Sequence, residues 1–118
     1  MSQKQDYKTN LRNSIIKLLG LFASEEQQLN YEKNVPHVDI TVELVCEWFD
    51  DLYHPNDAVF ISSFTNDELA ALADFNKFYD EREKLLPESL GTVRTWLVNP
   101  TWREIMKKSE ATLKQIAR

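Results

Sequence analysis

Two glycines, Gly20 and Gly91, are all that 118 residues contain, and no Asn-Gly or Asp-Gly pair joins two alternating apolar runs. A chain this poor in hairpin turns is directed toward helices, and its apolar residues agree. Leu11, Ile15, Ile16, Leu18, Leu19 and Phe22 fall at steps of three and four, which predicts an amphipathic helix over about 6–22. Ser24 with Gln27 forms a capping-box pattern for a helix over about 25–33, which Val35, Pro36 and His37 end. Asp39 is placed to cap a third helix over about 40–53, in which Ile40, Leu44, Trp48 and Leu52 repeat at every fourth residue beside Val45 and Phe49. The segment HPNDAVFISSF, with Pro55 and several turn formers, reads as a loop pinned by Val59, Phe60, Ile61 and Phe64. Thr65 and Glu68 make a second capping box, opening a helix over about 66–85 that carries Leu69, Leu72, Phe75, Phe78 and Tyr79. A short helix around Leu90, Val93, Trp96 and Leu97 follows Pro87. Asn99-Pro100 then starts the last helix, with Trp102, Ile105, Met106, Leu113 and Ile116. The expected architecture is all-α: a single-domain bundle of five to six helices over residues 1–118.

A chain of this length can bury roughly two thirds of its unfolded surface without disulfides or metals. Hydrophobic residues make up 42% and charged residues 28%, inside the globular range, and the lone Cys46 excludes an internal disulfide framework. A reducing, cytoplasmic setting is the expectation, since no run approaches the roughly 18 apolar residues of a membrane span or forms a signal-peptide core. A net charge of −5 argues against direct binding of nucleic acid, whose phosphates would be repelled.

That charge is segregated. Residues 34–80 carry ten carboxylates against Lys77 alone. Asp39, Glu43, Glu47 and Asp51 recur at every fourth position with no base between them, and like charges at i, i+4 on a helix cost about 0.2–0.5 kcal/mol per pair. Ordinary solvated helices mix both signs at this spacing. The row can therefore be a solvated face or a surface held for a cationic partner, and the second reading is preferred. Glu43, Glu47, Asp50, Asp51 and Asp57 would supply charge, with Tyr53, His54 and Phe60 extending the face past the helix end. Tyr53 and Phe60 can equally be core.

Competing chemistries find less support. Asp51-x-x-His54 places two possible metal ligands on one face, but carboxylate-bridged di-metal bundles need that motif twice, and it occurs once. No metal or cofactor is expected. His37 and His54 read as turn residues; neither declares an acid–base partner. Cys46, between Val45 and Glu47, reads as a small buried thiol without the positive neighbour a reactive one needs. Trp48, Trp96 and Trp102 stand at core spacing. No phosphate-binding glycine loop, zinc-type cysteine spacing or nucleophile elbow is present, so the chain is not expected to be an enzyme.

The run VPHVDITVELVCEWFDDLYHP, followed by FISSFTNDELAALADFNKFYDEREKLLP and a tryptophan-containing terminal helix, resembles the small helical immunity proteins of bacterial contact-dependent growth-inhibition systems. The resemblance spans about residues 15–116, lies in overall pattern, and carries over no interface residue. It implies a cytoplasmic protein that binds a toxin domain delivered by a neighbouring cell, commonly a nuclease, and blocks its active site. The alternative is an adaptor or regulatory module that binds a basic protein of its own cell.

Overall fold

The computed structural model describes residues 3–35, 40–87 and 92–116. Among them are seven helices: α1 (Gln3–Ala23), α2 (Glu25–Asn34), α3 (Ile40–Cys46, continuing without a break as a π-helix, Glu47–Leu52), α4 (Ala58–Ser62), α5 (Asn66–Glu83), α6 (Val93–Leu97) and α7 (Pro100–Ile116). The all-α expectation holds. No described helix is long and apolar enough to cross a membrane.

Local capping sets most boundaries. Ser24 Oγ accepts from the Gln27 amide, while the Ser24 amide turns back to Leu21 O. Thr65 and Glu68 form the full reciprocal box at the start of α5. Asn99 Oδ1 accepts from the amides of Thr101 and Trp102 at 2.9 and 3.1 Å, with Pro100 at the first helical position. The expected cap Asp39, the turn residue His37 and Leu90 of the short helix lie outside the described residues.

The predicted 54–64 loop is partly wrong. Asp57 takes an extended conformation and its Oδ1 accepts from the Val59 amide at 2.8 Å, so α4 starts where turn residues alone were expected. One short turn of helix is enough to sink Phe60 into the core at 1% exposure.

α7 packs against both α1 and α5, and α1 also meets α2, α4 and the π-helical half of α3. Phe22 of α1 is the centre of the aromatic core, with its ring 5.0 Å from Tyr79, 5.8 Å from Phe75 and 6.0 Å from Trp102. All three tryptophans are fully buried, as their spacing predicts. Truncation of an aromatic so enclosed costs about 3–5 kcal/mol through lost transfer energy and the cavity left behind.

Two polar devices hold this core in register. Gln28 is completely buried although it is a polar residue of a polar helix. Its Nε2 donates to Leu21 O at 3.0 Å and Phe22 O at 2.9 Å, satisfying carbonyls that the end of α1 leaves without helical partners, and its Oε1 accepts from Trp102 Nε1 at 3.1 Å. At the other end of α1, Arg12 grips Glu68 through two parallel bonds of 2.8 and 2.6 Å. It also donates to Ile116 O at 2.8 Å and lies over the Phe64 ring. One guanidinium thereby joins α1, the start of α5 and the end of α7.

The hydrogen bonds from Arg12 hold the Glu68 carboxyl at a pKa of about 2, below the ordinary glutamate range. A carboxyl whose folded pKa is depressed stabilises the fold above its unfolded pKa and loses that contribution as pH falls through the folded value. Stability should therefore decline by about 1–2 kcal/mol between roughly pH 5 and 2 through this group, allowing for the partial exposure of Arg12. Urea titrations across that range should show the decline in the native chain and a flatter profile in Glu68→Gln. Gln28→Leu should lower stability by about 2–4 kcal/mol at all pH values, since it strands the Phe22 carbonyl and the Trp102 indole N–H and leaves the Leu21 carbonyl with only the long bond from Ser24. An unchanged urea midpoint would refute the role given to Gln28.

Candidate protein-binding groove

The strict four-residue repeat of Ile40, Leu44, Trp48 and Leu52 does not suit an uninterrupted α-helix. At 3.6 residues per turn each step of four overshoots by about 40°, so over three steps the row would swing well away from the core. The structure resolves the mismatch by widening the turn. From Glu47 to Leu52 the helix is π-type, closed by the Tyr53 amide on Trp48 O at 2.9 Å, a five-residue step. Here four residues fall short of a full turn, and the swing is reversed. Ile40, Leu44 and Trp48 stay buried, Leu52 packs at the core's edge, and the Tyr53 ring stacks on Trp48 at 5.0 Å. Trp48 Nε1 donates to Asn76 Oδ1 at 3.0 Å, anchoring the segment to α5.

The acidic row obeys the same geometry, and its members divide. Glu47 and Asp51 line a groove of about 610 Å3 between α1, α2 and α3. Apolar lining comes from Leu18, Leu21 and Leu52; Tyr31, Asn30 and Asn34 of α2 and Lys17 of α1 complete the opposite sides. Among the described residues neither Glu47 nor Asp51 makes an ion pair within 4 Å. Partial desolvation, then the charges of Glu43 and Asp51, push the Glu47 carboxyl above its usual pKa, against an opposing pull from Lys17. The Tyr31 phenol is pushed up by desolvation and by Glu47 and Glu43. Among the described residues Lys17 offsets only part of the negative charge that Glu47 and Asp51 bring to the groove.

The other expected site residues sit elsewhere. Asp50 is exposed on the side of Cys46, away from the groove lining. Tyr53 is half-buried against Trp48 and edge-on to Phe60. His54 and Asp57 are exposed at the turn into α4, where they border a smaller cavity of about 250 Å3. Phe60 leaves the predicted surface altogether, because α4 turns it inward. Lys17, Asn30, Asn34 and Tyr31 were not legible as site residues, since they belong to helices whose packing creates the groove.

Cys46 is also corrected. It is exposed, not buried, because the face defined by Leu44 and Trp48 turns it outward. Desolvation and the carboxylates Asp50, Glu43 and Asp51 raise its thiol pKa, which makes it accessible yet poorly nucleophilic. Comparison of the chain with protein-family models, curated proteins and solved structures finds no match.

Thiol labelling near pH 8 should go to completion on the folded protein without denaturant, more slowly than on the unfolded chain. Asp50→Asn should speed it by about two- to threefold, the effect of one nearby surface charge on the thiolate population. Protection of Cys46 from the reagent until unfolding would contradict its outward placement.

Proposed function

We propose that this chain is an immunity-type inhibitor: it binds a basic toxin domain and shields that domain's active-site cleft with the acidic surface of α3 and the adjoining groove. The observation that carries the reading is the state of Glu47 and Asp51, two carboxylates side by side in a groove, without ion-pair partners among the described residues. Elsewhere in the acidic segment, Glu68 is engaged by Arg12, Asp74 by Lys108 and Asp80 by Lys84, and Asp57 caps α4. Charge left unpaired and crowded costs stability, and a cationic partner would recover that cost on binding. The resemblance to the growth-inhibition immunity proteins supplies the partner class. A nuclease presents a basic cleft to phosphate, and an acidic protein can occupy it by steric and electrostatic exclusion, with association accelerated at low salt.

Co-expression with the product of the gene immediately upstream should yield a complex whose affinity falls as salt rises. Glu47→Lys combined with Asp51→Lys should abolish protection of cells from that product and slow association by about a hundredfold or more, while helicity is retained because neither residue belongs to the core. Full protection by the helical double variant, or absence of any complex, overturns the assignment.

A further inference from the structure

We propose that the groove is a socket for one cationic side chain, an arginine or lysine with apolar neighbours on a loop or terminus of the partner protein, so that at this contact the partner inserts into this chain. The inference rests on the reading of the chain as a binder of a basic protein and assigns the chemistry of one contact within it.

The lining changes character in the way such a side chain requires. Leu18, Leu21 and Leu52 offer apolar surface suited to methylene stems and flanking apolar residues, while Glu47 and Asp51 offer carboxylates to the charged head. Tyr31 adds an aromatic ring, and the side-chain amides of Asn30 and Asn34 add carbonyl acceptors for guanidinium or ammonium donors. At about 610 Å3 the groove lies within the range of sites that enclose a bound group. A flat acidic helix entering a basic cleft would have no need of this concavity.

Charge selects the sign of the guest. Among the described residues Lys17 is the only lysine or arginine of the lining, against the two carboxylates Glu47 and Asp51, so these residues carry a net negative charge. Lys17 makes no ion pair within 4 Å among the described residues, and its opposing influence on Glu47 ranks below those of Glu43 and Asp51. A carboxylate or phosphate guest would meet two carboxylates against one ammonium. A single added cation, together with Lys17, instead balances the two carboxylates.

The test is a titration of the full chain, isotopically labelled, with the peptide acetyl-Leu-Arg-Leu-amide and its citrulline counterpart, which keeps the shape and removes the charge. Amide shifts should concentrate at Lys17, Tyr31, Asn34, Glu47 and Asp51, and the citrulline peptide should bind about tenfold more weakly or worse. Glu47→Gln with Asp51→Asn should give the same loss. Asn30→Arg, which supplies the groove with its own guanidinium from an exposed position, should block the peptide while leaving the spectrum of the core unchanged. Equal binding of the two peptides, shifts centred elsewhere, or concentration-dependent shifts at the groove without peptide, which would assign it to a second copy of the chain, each overturn the socket. A partner complex that survives Asn30→Arg unweakened overturns it too while leaving the inhibitor reading intact. Arginine-specific binding with no complex to the neighbouring gene product removes the toxin reading and keeps the socket.

Discussion

α2 is almost without apolar surface: of its ten residues only Leu29 and Tyr31 pack against the core, both at its margin. Such a helix cannot be held by hydrophobic burial of about 25 cal/mol per Å2 alone, and its place depends on the one side chain it buries completely, Gln28. By accepting from the Trp102 indole and donating to the last carbonyls of α1, Gln28 joins three helices at a point from which water is excluded. Each of those groups would be costly to leave unpaired, so the arrangement is selected as much by the penalty of alternatives as by the strength of its bonds. One side of the groove is α2. Its geometry is therefore tied to this amide.

The same logic divides the carboxylates of the acidic segment. Glu68 serves twice, closing the capping box of α5 and receiving the Arg12 fork, and its depressed pKa measures how fully it is engaged. Asp57 and the distant Glu32 are spent on helix starts: Glu32 Oε2 accepts from the Val93 amide at 2.8 Å, capping α6, whose own N-cap Thr92 makes no side-chain cap bond. Against these engaged acids, Glu43, Glu47 and Asp51 crowd along α3 without an ion pair among the described residues, with pKa displacement in the opposite direction at Glu47.

Helix starts at Ser24, Thr65 and Asn99 were legible because capping is decided within three or four residues of chain. The ion pairs of α7, Arg103 with Glu25 and Lys108 with Asp74, were not legible, since they join residues 78 and 34 positions apart. The fourfold spacing of Ile40, Leu44, Trp48 and Leu52 also held the signal for the π-helix, since a repeat of four lies between an α-turn and a wider one. Read as ordinary α-helix, that spacing misplaces Cys46 indoors. Phe60 reads from the sequence as either site or core, and the Asp57 cap two residues after Pro55, by starting α4, decides for core.

What the sequence determined alone is what local physics controls: helical class from periodicity and scarce glycine, starts from caps, burial of the tryptophans from their spacing, and a segregated negative charge. What only the tertiary structure decided is which carboxylates remain unpaired and what surrounds them. Arg12 lies 56 residues from Glu68, and Trp102 lies 74 from Gln28. Pairings at such separations leave no periodic trace, because they depend on how helices cross and on the cost of leaving a buried polar group without a partner. The groove is the residue of those crossings, so its members on α1 and α2 could be named only once the helices were packed.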